Sequence, residues 1–289
     1  MISIHTGSNL ISGYELNDQV CIPDQLGGCT TTKVEDFTFL AFSNKTSDDP
    51  CLGTDGLIGL APTNDEDSGP PTLVRALFDA GLIPETSATL NLNYWPNRSE
   101  DFDNTITLGG IPSDLDLANF VSLKVKETFA VVPDSVQWTW KLEELRSGEA
   151  SFKSYTEIES YVVLNTTSQY ITVYEQFWSG MAKYLRTIGF TCKDGFCSAT
   201  GNCDKYDDKM QDLEIQFDKV KFTLTPASYS YTKSGTCHIA VTSQPQNSAY
   251  IVLGNPFLIA FTTTLRMSEN KAEFRLNPRA PPGVKFATI

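Results

Sequence analysis

The chain has 289 residues, with 35 acidic side chains against 22 basic ones, a formal net charge of -13 and a sequence pI of about 4.6. At about 100–200 residues per domain this is one large or two ordinary domains, and 40% hydrophobic with 20% charged residues is the composition of a folded globular chain. So negative a protein is repelled by nucleic acid and by anionic membrane surfaces, and no apolar run reaches the roughly 18 residues of a spanning helix.

In chain order, the first segment, Met1 to Val20, has neither a basic n-region nor an apolar h-region and predicts no export signal. Short runs rich in Val, Ile, Thr, Phe and Tyr then predict strands: Phe37–Phe42, Ala88–Leu92, Thr105–Leu108, Tyr161–Leu164, Lys219–Leu224 and Ala260–Leu265. Two helices interrupt them. Thr72, after Pro70 and Pro71, caps a helix with Leu73, Val74, Leu77 and Phe78 on one face, ended by Gly81. Tyr174, Phe177, Trp178, Met181, Tyr184 and Leu185 repeat at helical spacing between Thr172 and Gly189, an aromatic stripe that reads as core packing. So few helices exclude a Rossmann fold or a helical bundle, and no glycine-rich phosphate loop follows any strand.

Seven cysteines leave one without an internal partner in an oxidising compartment. Asn44-Lys45-Thr46, Asn97-Arg98-Ser99 and Asn165-Thr166-Thr167 match the glycosylation sequon. Together they point to a secretory history and an oddly cut N-terminus. A hint of internal duplication joins Leu57-Ile58-Gly59-Leu60 to Val252-Leu253-Gly254-Asn255, each soon followed by proline, with a glycine that lets another backbone come close.

Several motifs fall in one order. Asp55-Gly56-Leu57-Ile58-Gly59-Leu60-Ala61-Pro62 precedes the first helix. Ile106-Thr107-Leu108-Gly109-Gly110-Ile111 follows it, and Trp138-Thr139-Trp140-Lys141-Leu142 opens a second half. Ile251-Val252-Leu253-Gly254-Asn255-Pro256-Phe257 and Asn270-Lys271-Ala272-Glu273-Phe274 stand near the end. This order resembles the pepsin-like aspartic proteases over nearly the whole chain. The resemblance implies an all-β, bilobal fold with a few short helices and a first lobe that is incomplete, with lobes over residues 1–115 and 116–289. It implies proteolysis as the family activity, no cofactor, no metal, a monomer, and an extended peptide or protein in the cleft between lobes. It also implies a secretory location, vacuolar, lysosomal or extracellular. Cys203 and Cys237 match the family's C-terminal disulfide, and Cys192 and Cys197 look like a local clip. Cys21, Cys29 and Cys51 then hold one bridge and one spare thiol. The cysteines with His238 lack the paired short-turn spacing of a zinc site, and His5 and His238 are poor candidates for a nucleophilic triad.

The ends of the resemblance carry the chemistry. Ile4-His5-Thr6-Gly7-Ser8 looks like the flap hairpin that covers the family's cleft, with Ile4 where the family usually has Tyr. A competing register reads His5-Thr6-Gly7-Ser8 as a first Asp-Thr-Gly-Ser with His for Asp. Either way the first catalytic aspartate is absent. In the second lobe Asn165-Thr166-Thr167-Ser168 occupies the place of Asp-Thr-Gly-Thr/Ser. The family reaction takes two carboxylates about 3 Å apart that share one proton. An asparagine amide neither ionises nor accepts that proton, so the chain is expected to be inactive. A β-branched Thr167 at the glycine position is expected to shift or strain the loop. The flap backbone of Thr6, Gly7 and Ser8, with Ile4, His5 and Ser168, is expected to contact a bound peptide. The part from about Asn119 onward is expected to fold alone and to outlast residues before Ser113 in limited proteolysis. Asn165, in the cleft, is expected to carry no glycan.

Overall fold

The computed structural model describes residues 2–6, 9–22, 33–45, 58–62, 71–92, 104–113, 115, 119–125, 137–153, 160–244 and 250–289. Strands β1 (Ile2–Thr6), β2 (Asn9–Cys21) and β3 (Lys33–Lys45) open the chain, and α1 (Leu73–Asp79) follows. Then come β4 (Ser87–Asn91), β5 (Thr105–Leu108), β6 (Phe120–Lys124), β7 (Thr139–Ser147), β8 (Ala150–Lys153), β9 (Tyr161–Leu164) and β10 (Ile171–Val173). After α2 (Glu175–Thr187) lie β11 (Thr191–Lys193), β12 (Phe196–Thr200), β13 (Leu213–Phe217) and β14 (Val220–Leu224). The rest is α3 (Pro226–Tyr229), β15 (Ser230–Lys233), β16 (Thr236–Ile239), β17 (Val241–Ser243), β18 (Tyr250–Leu253), α4 (Asn255–Ala260), β19 (Phe261–Arg266), β20 (Lys271–Leu276) and β21 (Lys285–Thr288). All six predicted strands are present.

Both predicted helices form for the reasons read from their sequences. In α1 the Thr72 hydroxyl accepts the Arg75 N–H at 3.3 Å, and Gly81 leaves the helix at φ +70°. Val74, Ala76 and Leu77 are buried; Ala76 and Leu77 meet Val34 of β3 in a small separate core, while Val74 joins the main core. Phe78, expected on that face, is turned away and exposed, because the buried stripe is centred on Leu77. In α2 the aromatic stripe is core: Phe177, Trp178, Met181 and Leu185 are buried.

The strands form four sheets. β1-β2-β3 is an antiparallel ribbon in which Thr6 pairs with Asn9. A nine-stranded sheet runs β17-β10-β18-β9-β7-β13-β14-β21, with β8 on β7. β11-β12-β16-β15 is a smaller sheet on which the disulfides Cys192–Cys197 and Cys203–Cys237 sit. Cys21 is also disulfide-bonded, to a cysteine outside the described residues. The main core lies under the large sheet and is aromatic at its centre, where Phe217 stacks on Phe222 at 4.8 Å and Phe222 meets Phe257 edge-on at 5.2 Å.

The fourth sheet, β5-β4-β19-β20-β6, joins distant parts of the chain. β4 pairs directly with β19, setting Thr89 opposite Thr264 and Leu90 opposite Thr263. One face turns Ala88, Leu90, Leu265, Ala272 and Phe274 into the core. The other buries a polar set. The Thr89 and Thr264 hydroxyls lie 3.0 Å apart, Arg275 donates to Thr264 and to Glu273, and Arg266 bridges Glu273 and Glu85. Every member of that ion chain finds an opposite charge, which is the condition for burying charge at all.

Candidate active site

β18 lies between β9 and β10, parallel to the first and antiparallel to the second. The chain leaving β9 therefore has to cross the end of β18 to reach β10. All four residues of β9 are buried, as expected of a strand covered on both faces, and Asn165 is the first residue to emerge. Its N–H donates to Leu253 O at 3.0 Å, and Asn255 N–H donates to Ser168 O at 2.8 Å. These two bonds clamp the crossing loop to the end of β18. Between them lies Gly254, where a Cβ would sit 2.4 Å from Tyr170 O and 2.5 Å from Ser168 O. The close approach read from the sequence is thus present at Gly254. At Gly59, its proposed duplicate, no described atom lies within 4 Å of a built Cβ.

The Asn165 side chain is folded onto its own loop. Its Oδ1 accepts the Thr167 N–H at 2.9 Å and the Thr167 hydroxyl at 2.8 Å, the Asx turn that short amide side chains make two residues ahead. Thr167 has no positive φ, so the strain expected of a β-branched residue there is avoided by the turn. Ser168 caps the far side, its hydroxyl donating to Tyr170 O at 2.8 Å. Thr166 completes the turn, half-buried. Neither the amide nor its two hydrogen-bond donors ionises near neutral or acid pH. From Asn165 to Ser168 the loop carries no ionisable side chain.

Ile4, His5 and Thr6 lie in β1, with His5 paired to Leu10 across the hairpin. Gly7, Ser8 and the start of the Asp55–Pro62 motif lie outside the described residues. The end of that motif reaches the second half, where Leu60 O accepts the indole N–H of the buried Trp138 at 2.6 Å.

Beside the loop stands an aromatic group that the sequence did not disclose. Tyr170 meets Phe196 edge-on at 5.4 Å, and Tyr231 stacks on His238 at 5.2 Å. Burial, then the neighbouring Tyr170, pushes the Tyr231 hydroxyl up to about 12. Burial and Lys233 lower the His238 imidazole. The four residues come from separate strands and one loop, and only the place of Tyr170 beside the Asn-Thr-Thr motif hinted at it.

A mostly β chain whose Asn-Thr-Thr loop crosses a strand ending in Val252-Leu253-Gly254 has the pepsin-like aspartic proteinase fold. The family model for eukaryotic aspartyl proteases matches residues 1–275, and the chain belongs to that family. Among solved structures, 384 chains are similar. One is the crystal structure of the aspartic proteinase from Irpex lacteus, with a TM-score of 0.73 and 16% identity, covering 98% of this chain and 83% of that one. No curated protein matches it.

Proposed function

We propose that this family member binds extended peptides without hydrolysing them. The observation that carries the reading is the Asx turn. Asn165 stands at the head of the crossing loop, and its Oδ1 is already committed to Thr167. A catalytic carboxylate in that place takes a proton from water and shares another with a second carboxylate, and a neutral amide does neither. The peptide lies between the lobes 1–115 and 116–289. The flap backbone at Thr6, Gly7 and Ser8 donates hydrogen bonds to it as an added strand does, Ile4 and His5 lie along it, and Ser168 faces it from the crossing loop. The β1–β2 hairpin suits such a flap. Three disulfide-bonded segments support an oxidising, secretory location, and the protein acts as a monomer.

The test is an assay at acidic pH on denatured protein and on peptide substrates, beside a binding screen on an immobilised peptide library. We expect no pepstatin-sensitive hydrolysis, selective retention of some peptides, and continued inactivity of Asn165→Asp. Hydrolysis by the unaltered protein overturns the reading, and so does the absence of any peptide binding.

A further inference from the structure

The polar face of the sheet that joins β4 to β19 opens at one end into a cavity of about 520 Å³, inside the about 300–1,000 Å³ range of ligand sites. It is built on β6, β19, β20 and β21, and Asn165 is not in its lining. Much of its wall is apolar: Leu115, Phe120, Leu276 and Phe286 line it. Phe120 and Leu276 are 43% and 44% exposed, so two large apolar side chains face solvent here.

The lining is also cationic: among the described residues its charged members are Arg275 and Lys285. Arg275 is 4% exposed, with its guanidinium carbon 4.8 Å from the Phe120 ring centroid. Two of its nitrogens reach Thr264 and Glu273, and its Nε is buried without a partner. Glu273 is shared with Arg266, so its charge is divided between two guanidiniums. Lys285 adds a further, exposed cation whose charge acts on Asp212. In a chain of net charge -13, a concave site with two cations and apolar walls is a local exception.

We infer that this cavity binds an amphipathic monocarboxylate, with its acyl tail against Phe120, Leu276 and Phe286 and its head beside Lys285 and Arg275. The apolar walls take the tail out of water. The cations select a negative head, because a buried carboxylate needs a paired charge.

The test is calorimetric titration of the full chain with decanoate, with decanol and decyltrimethylammonium as neutral and cationic controls. We expect decanoate to bind with a Kd below about 1 mM and at least about tenfold tighter than either control. Two exposed positions localise it: Lys285→Glu is expected to weaken decanoate at least about tenfold while sparing decanol, and Leu276→Glu to weaken both. The inference is overturned if decanoate does not bind, if it binds no better than decanol, or if both variants bind it as the unaltered protein does. Unchanged circular dichroism of the variants keeps the comparison one of binding, and the ligand series on the unaltered protein stands without them.

Discussion

Gly254 runs so close beneath Ser168 that the carbonyl oxygen of Ser168 would lie 2.5 Å from any Cβ at Gly254. The φ of Gly254 is -103°, so other residues adopt its backbone angle. Only the missing side chain lets the crossing loop pass. Gly254→Ala is therefore expected to destabilise by about 1–3 kcal/mol through overpacking. Urea unfolding measures it, and an unchanged midpoint contradicts the contact.

Glu273 serves Arg266 and Arg275 at once, at 3.0 Å and 3.1 Å. Glu273→Gln keeps the shape and removes the charge that two guanidiniums share. With Arg275 left uncompensated in a buried place, a loss of about 3–5 kcal/mol is expected. Chemical denaturation measures it. A loss under about 1 kcal/mol, the worth of an exposed pair, places the bridge in effect on the surface.

The Asp207 carboxyl sits above its ordinary 3.8, chiefly through burial and then through the charges of Asp204 and Asp208. The folded state thus binds this proton more readily than the unfolded one. Its stabilising contribution is full below 3.8 and is lost as pH rises through the higher folded value. Asp207→Asn removes the charge at every pH. The variant is expected to melt above the unaltered protein at about pH 7 and level with it at about pH 3. A variant that melts lower at both is the contrary result.

Limited proteolysis probes the join between halves. Sequence reasoning put the start of the resistant part near Asn119. The pairing of Ser87–Leu90 with Thr263–Arg266 and the satellite core under α1 extend protection toward Pro71. We expect the persisting species to retain β4, seen as peptides from residues 87–91 in its mass map. A stable species that begins after Ser113 and has lost β4 shows the opposite.

The fold was legible where local pattern and tertiary need agree. The stripe Phe177, Trp178, Met181 and Leu185 is helical by spacing and buried in fact, and Tyr161–Leu164 is continuous and apolar because both its faces are covered. Phe78 misled because a helix of seven residues makes only about two turns, too few repeats to fix the centre of its buried face. Asn165 was identified by motif, yet what holds it is not written in the motif. Thr167 fits through an Asx turn, and such a turn is one of several conformations that Asn-Thr-Thr allows. The ion chain from Glu85 to Arg275 was invisible, since Arg266, Glu273 and Arg275 lie in strands, and Glu85 just before one, whose pairing no local pattern specifies. In the aromatic group around Tyr231 only Tyr170 stands beside a motif, and the strand pairing that places Tyr231 next to His238 is equally unspecified by local pattern.

The contact between Thr89 and Thr264 spans 175 residues of sequence. During synthesis from the N-terminus, the β4–β5 hairpin leaves the ribosome long before β19 exists to pair with it. Until then Ala88 and Leu90, fully buried at the end, have no apolar neighbour across that edge, and an open strand edge of this kind templates wrong pairings. Closing so long a loop is also slow relative to forming local contacts. The nascent chain is thus most exposed to aggregation between the emergence of residue 91 and that of residue 266, and the arrival of β19 ends that interval.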